Sequence, residues 1–163
     1  MDEVYVCDAD ALINLWRHFE KEALKALRHL AKHGFLKIPE GVCREILRGS
    51  DKLKRFVESK SASVEFRIEG SLQGVVAELD QKYGEQIRLG KRGYEGFWKS
   101  KAGRKAADAQ VIAVAKHLSA ICVSDDRGVR LACMLEDVYC IGWTEWARRI
   151  LPAFQPSLFG DTP

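Results

Sequence analysis

Five aspartates and one glutamate stand where apolar runs give way to polar residues, and these are the side chains whose types and placement could do chemistry. Asp8 ends the run Val4-Tyr5-Val6-Cys7, and Asp10 follows two residues later. Asp125 and Asp126 end a second run, Ala120 to Ser124. Glu45 lies beside Val42 and Ile46, at the edge of a helix's apolar face. Asp108 opens an alanine-rich helix, on the side shared with Val111, Ile112 and Ala115. An ionised carboxylate facing a core is costly unless it is paired or holds a metal. Hard oxygen donors gathered this way suit Mg²⁺ or Mn²⁺, ions that support phosphoryl chemistry. Each acid also has a plainer reading. Asp8 or Asp10 caps the helix that follows, and Glu45 is a solvated neighbour of Arg44 and Arg48. Asp108 complements a helix dipole, and Asp126 sits in a turn or a cap.

The elements that must position these residues follow from apolar spacing. A strand at about Val4 to Cys7 feeds a helical region to about His33, with Leu24, Leu27, Leu30 and Ala31 at helical period and Gly34 as its stop. Phe35 to Ile38 reads as a second strand, closed by Pro39, which suits the first turn of the helix bearing Glu45. Leu53, Phe56 and Val57 suggest another helical turn or two. Ser63 to Ile68 alternates as an edge strand or extended connector, and residues 71 to 83 are helical through Leu72, Val75, Val76 and Leu79. Ala106 to Leu118 is a helix whose small residues permit close approach to a sheet. Ala120 to Ser124 is a strand, Val129 to Leu135 a helix, Val138 to Ile141 a strand and Thr144 to Leu151 a helix. Strands alternating with helices imply α/β architecture, with a mostly parallel sheet covered on both faces. In such sheets ligands sit beyond the carboxyl ends of strands, where Asp8 and Asp126 fall. Residues 1–151 are read as one domain and 152–163 as a loosely held tail.

A chain of 163 residues, 47% of them hydrophobic, can bury a sizeable core. Its net charge of +3 is unevenly spread: residues 88–105 hold seven cations against Glu95 alone, leaving the remainder at −3. Lys91, Arg92, Lys99, Lys101, Arg104 and Lys105 lie in that segment with Tyr94, Phe97 and Trp98. Cations that follow a phosphate backbone, with aromatics for base stacking, suit single-stranded nucleic acid. The alternative is a solvated loop whose aromatics pack on the core. Five cysteines without a C-x-x-C pair argue against a zinc ribbon or a disulfide framework. Cys7, Cys43, Cys122 and Cys140 sit in apolar runs and read as small core residues. With neither a signal-peptide pattern nor an apolar run near 18 residues, the expectation is a soluble cytoplasmic protein that does not enter a membrane.

Four stretches in this order resemble the PIN-domain nucleases, including the VapC-like toxins. They are Val6-Cys7-Asp8-Ala9-Asp10-Ala11-Leu12-Ile13, Val42-Cys43-Arg44-Glu45-Ile46, Ala107-Asp108-Ala109-Gln110-Val111-Ile112-Ala113 and Val123-Ser124-Asp125-Asp126. The resemblance spans about residues 4 to 142 and implies a three-layer α/β/α sandwich. It implies that Asp8, Glu45, Asp108 and Asp126 bind one or two Mg²⁺ or Mn²⁺ ions, with Ser124 in the supporting Thr/Ser position. Asp10 stands where the family commonly has Asn or Ser, which would add an acid, and Asp125 beside Asp126 offers a second ligand. The implied activity is metal-dependent phosphodiester hydrolysis, leaving a 5′-phosphate, on single-stranded or loop RNA, or on DNA. An antitoxin partner and a homodimer are implied by the same resemblance. The glycine-rich segment before Asp108 is bulkier than compact toxins need.

Two other classes fit parts of the pattern. Asp8-Ala9-Asp10-Ala11-Leu12 resembles the D-x-D motif of haloacid-dehalogenase-type phosphatases, with Asp8 as nucleophile and Asp10 as acid/base. That reading leaves Glu45 and Asp108 without a role, and Lys116 lies mid-helix. A non-catalytic, nucleic-acid-binding PIN-like module is the other, although all four acids are present.

Overall fold

A computed structural model describes residues 3–49, 52–85, 97–99 and 107–152. In chain order the elements are β1 (Tyr5–Cys7), α1 (Ala9–Lys32), β2 (Leu36–Pro39), α2 (Glu40–Leu47), α3 (Lys52–Val64), β3 (Glu65–Phe66) and α4 (Ser71–Tyr83). There follow β4 (Gly84–Glu85), β5 (Trp98–Lys99), α5 (Ala107–Leu118), β6 (Ile121–Val123), α6 (Arg127–Leu135), β7 (Cys140–Ile141) and α7 (Trp143–Ile150). Five strands form one sheet in the order β3-β2-β1-β6-β7, all parallel. Tyr5 pairs with both Leu36 and Ile121, so β1 is the central strand and is buried throughout.

The chain winds outward from β1 through β2 to β3, then crosses back to lay down β6 and β7. Right-handed crossovers put the helices of the two halves on opposite faces. Accordingly α1 packs on α3 and α7, while α5 packs on α4 and α6 and against β1 and β2. This is a three-layer α/β/α sandwich with a central, parallel sheet. The sheet order reverses between β1 and β6, and the crevice beyond their carboxyl ends is where doubly wound sheets bind ligands.

Local chemistry explains the boundaries near that crevice. Asp8 caps α1, its Oδ1 accepting from the Ala11 N–H at 2.8 Å, and Gly34, at φ 76°, follows the helix end as expected. The long α1 is kinked at Glu20, whose φ is 29°. Asp126 caps α6 by accepting from the Val129 N–H at 2.9 Å. In α5 every residue from Ala109 to Ala115 is buried, as a helix held between a sheet and two others requires. Full burial of Val111, Ile112 and Val114 there contributes about 1.5–3 kcal/mol each. Behind it, Glu136 accepts from Lys82 at 3.0 Å, from Lys116 at 2.9 Å and from the Tyr83 hydroxyl, tying α4 and α5 to the end of α6.

Two expectations change. The turn or two foreseen around Leu53 to Val57 is a helix reaching Val64, because Leu53, Phe56, Val57 and Val64 all find buried places. The alternating stretch from Ser63 shrinks to the two-residue edge strand β3, which pairs with Ile38 and Pro39. A small parallel ladder of β4 and β5, unforeseen, closes the end of α4. No helix among the described residues is long and apolar enough to cross a membrane. Of the expected tail, residues 153–163 lie outside the described residues.

Candidate metal and nuclease site

Asp8 is the first residue after β1, and its backbone N–H still bonds to the Val123 carbonyl at 3.2 Å. Its side chain is buried, 8% exposed. Oδ1 caps α1, while Oδ2 accepts from the Ser124 hydroxyl at 2.5 Å. That hydroxyl also accepts from the Asp126 N–H at 3.1 Å, so fully buried Ser124 joins the ends of β1 and β6 and orients the turn that presents Asp126. The capping readings of Asp8 and Asp126 are therefore correct. They do not exclude a ligand role, because each carboxylate oxygen has two lone pairs.

Asp108 is half-buried in the first turn of α5. Its carboxyl is pushed up to about 7 by burial, then by the charges of Asp126, Asp8, Glu45 and Asp10. Asp8 is pushed up to about 6, chiefly by burial and further by Asp10 and Asp125, against the Ser124 and Ala11 hydrogen bonds that hold it down. Asp8, Glu45, Asp108 and Asp126 thus share one field, and exposed Asp10 adds to it. They do not form a closed cage: among the described residues, no three of these carboxylates bring an oxygen each within 4.8 Å of one another. Glu45 and Asp126 are exposed, so the site is an open acid pocket.

Asp125 turns elsewhere. Its Oδ2 accepts from the Trp143 N–H at 2.9 Å and serves the start of α7, which leaves Asp126 as the acid of the pair that faces Asp108.

Gln110 carries no sequence signal beyond being polar within an apolar run. Its buried side chain accepts from the Gly41 N–H at 2.8 Å, joining α5 to the start of α2. A Cβ on residue 41 would lie 2.7 Å from that oxygen, so glycine lets the helices bearing Glu45 and Asp108 approach.

Of the basic residues, Lys91, Arg92, Lys101, Arg104 and Lys105 lie outside the described residues, as does Tyr94. Lys99 belongs to β5. Phe97 and Trp98 are not available for base stacking. Phe97 stacks on Tyr83 at 5.5 Å, and Trp98 is 8% exposed with its indole N–H on Asp80 at 2.8 Å. The aromatics pack on the core, and burying them outweighs leaving them to a ligand. They bring the end of the segment close to the pocket, since a Cβ on Gly128 would lie 2.0 Å from the Phe97 carbonyl oxygen.

A family model described as "Domain of unknown function (DUF4411)" matches residues 5–130. The chain belongs to the DUF4411 family. The match takes in Asp8, Glu45, Asp108, Ser124 and Asp126. No curated protein matches the chain. The crystal structure of PAE2754 from Pyrobaculum aerophilum is similar at a TM-score of 0.51 and 20% identity, covering 95% of this DUF4411 chain and 100% of that one. The likeness shows a shared fold. The structure of FitAB bound to an IR36 DNA fragment matches at a TM-score of 0.49 and 14% identity, over 86% of this chain and 95% of that one. VapBC2 from Rickettsia felis, bound to a DNA fragment from its promoter, matches at 0.48 and 11% identity, over 86% and 98%.

Proposed function

We propose that this DUF4411 protein is a divalent-metal-dependent nuclease that hydrolyses phosphodiester bonds, acting as an endoribonuclease on single-stranded or loop RNA. The observation that carries the reading is Asp108, a carboxyl driven up by burial and by four other acids at the switch point of a parallel sheet. Carboxylates crowded in this way stay ionised comfortably only when positive charge is added. The donors are hard oxygens, which fit Mg²⁺ or Mn²⁺.

Asp8, Glu45, Asp108 and Asp126 would hold the ion or ions, with Asp10 beside them. When bound, the metal supplies an acidified water and offsets phosphate charge. The chain's own residues supply the setting. Ser124 holds Asp8 and the Asp126 backbone through one hydroxyl. Gln110 sets the approach of α2 to α5. The cations of residues 88–105 attract the phosphate backbone. The phosphatase reading is less well supported, because it leaves Glu45 and Asp108, which share the field of Asp8, without a role. An antitoxin partner rests on the sequence resemblance, and co-purification with the neighbouring gene's product tests it.

The deciding assay offers single-stranded RNA, hairpin RNA and matched single-stranded DNA with Mg²⁺, Mn²⁺ or EDTA. Wild type is expected to cleave RNA only with metal, and Asp8→Asn, Asp108→Asn and Asp126→Asn each to lose nearly all activity, as members of one catalytic unit do. Full activity in any two variants overturns the four-acid assignment. Turnover of a small phosphate ester with all nucleic acids left intact replaces the nuclease with a phosphatase.

A further inference from the structure

Three cysteines from the consecutive elements β6, α6 and β7 meet in the fold. The sulfurs of Cys122, Cys133 and Cys140 all lie within 4.8 Å of one another. Cys122 and Cys140 are direct partners across the parallel strands β6 and β7, and Cys133 comes down on them from the C-terminal half of α6. Cys122 and Cys133 are fully buried, while Cys140 is half-buried. Cys140 also lines an open surface pocket of about 440 Å³, shared with Arg130, Met134 and Tyr139. Among the described residues no histidine or carboxylate joins the three sulfurs.

Core packing alone does not call for three converging sulfurs, since aliphatic side chains fill such space as well. A sulfur-only donor set does select among ions. Around a metal with bonds of about 2.3 Å, thiolate sulfurs stand roughly 3.8 Å apart, a spacing that the cluster can reach. Soft thiolates favour closed-shell thiophilic ions over Mg²⁺ or Mn²⁺.

We infer that Cys122, Cys133 and Cys140 form a second metal site, distinct from the acid pocket, which takes a thiophilic cation of the Cu⁺/Zn²⁺ class through the pocket beside Cys140. Cu⁺ is satisfied by three sulfurs, whereas Zn²⁺ would take a water from the pocket as its fourth ligand. Each sulfur that ligates as thiolate gives its proton to solvent. The site also adjoins the acid pocket through one residue, because Cys140 Sγ donates to the Ser124 carbonyl at 3.7 Å. The inference does not depend on the nuclease reading.

The test titrates reduced, metal-free, full-length protein, without oxygen, with Co²⁺ as a stand-in for Zn²⁺, then with Zn²⁺, and separately with Cu⁺ against a competing chelator. Excess Mg²⁺ is present throughout to fill the carboxylates. The expected result is one equivalent bound per chain. Co²⁺ should give a sulfur-to-metal charge-transfer band that carboxylates cannot produce, and Zn²⁺ should bleach it. Bound Zn²⁺ or Cu⁺ should also protect Cys140 from alkylation, read by peptide mass. Cys140→Ser should weaken binding by more than about tenfold, and Asp108→Asn should leave the band unchanged. The wild-type titration and the protection assay stand whether or not a variant folds. Absence of the band together with absence of Cu⁺ uptake overturns the site, as does a band that survives Cys140→Ser or is lost in Asp108→Asn.

Discussion

The Ser124 hydroxyl donates to Asp8 Oδ2 at 2.5 Å, linking the ends of two neighbouring parallel strands inside the acid pocket. Ser124→Ala removes it and leaves the Asp126 N–H without its acceptor, so stability should fall by about 1–3 kcal/mol. Asp8 should then hold its proton more tightly still. Denaturant unfolding gives the first quantity and a carboxyl-resolved NMR titration the second. An unchanged Asp8 titration would mean that the hydroxyl does not serve the carboxylate.

The metal-free fold should be most stable in mild acid. Asp8 and Asp108, at about 6 and about 7 in the fold, keep protons that the unfolded chain releases near pH 4. Their contribution is complete below that pH and is lost as pH rises through 6 to 7, by at most about 1.4 kcal/mol per pH unit for each retained proton. Glu136 acts oppositely. The Tyr83 hydrogen bond first, then Lys116 and Lys82, hold it down to about 2, so its contribution is present above its ordinary value and lost as pH falls toward 2. Melting in EDTA from pH 3 to 8 should show a maximum between the two limbs, with Glu136→Gln flattening only the acid side.

Metal should separate ligands from caps. At about 100 times its dissociation constant, Mn²⁺ should add roughly 2.7 kcal/mol, or on the order of 5–10 °C in melting temperature for a domain of this size. At pH 8 in EDTA, Asp108→Asn should melt above wild type, since it relieves like-charge repulsion, yet gain less from Mn²⁺. A variant that melts lower in EDTA, beside a wild type indifferent to Mn²⁺ and Mg²⁺, removes the chemical basis of the nuclease.

Gly128→Ala should show how the end of the basic segment is seated. The new Cβ would meet the Phe97 carbonyl oxygen at 2.0 Å, and backbone must move to admit it. The expected cost is about 1–3 kcal/mol, with the Trp98 indole losing its shelter. Unfolding curves and tryptophan emission report both. A variant identical to wild type in the two measurements would place residue 97 elsewhere.

Neutralising Lys91, Arg92, Lys99 and Lys101 together should weaken binding of single-stranded RNA and flatten its salt dependence. Each lost phosphate contact should lower the log–log slope by about 0.7. An unchanged slope in a salt titration would mean that these cations do not touch the backbone.

What could be read from the sequence alone is what short-range chemistry determines. An apolar run followed by Asp makes a strand end that caps the next helix, and both Asp8 and Asp126 do this within three residues of themselves. Alternation of such runs with helical spacing dictates a parallel sheet, and a parallel sheet gathers its strand ends on one edge. The acids therefore had to be neighbours. Which of Asp125 and Asp126 faces Asp108 was decided in three dimensions, because Asp125 is claimed by a backbone N–H eighteen residues away. The length of α3, the burial of Phe97 and Trp98, and the Gln110–Gly41 clamp depend equally on surfaces that distant segments supply. The three thiols show the difference most clearly. Taken singly, Cys122 and Cys140 read as small core residues, and only the pairing of β6 with β7 beneath α6 brings them together with Cys133. Spacing along a chain encodes contacts of one helical turn or one strand, whereas a cluster drawn from two strands and a covering helix exists only after the sheet has formed.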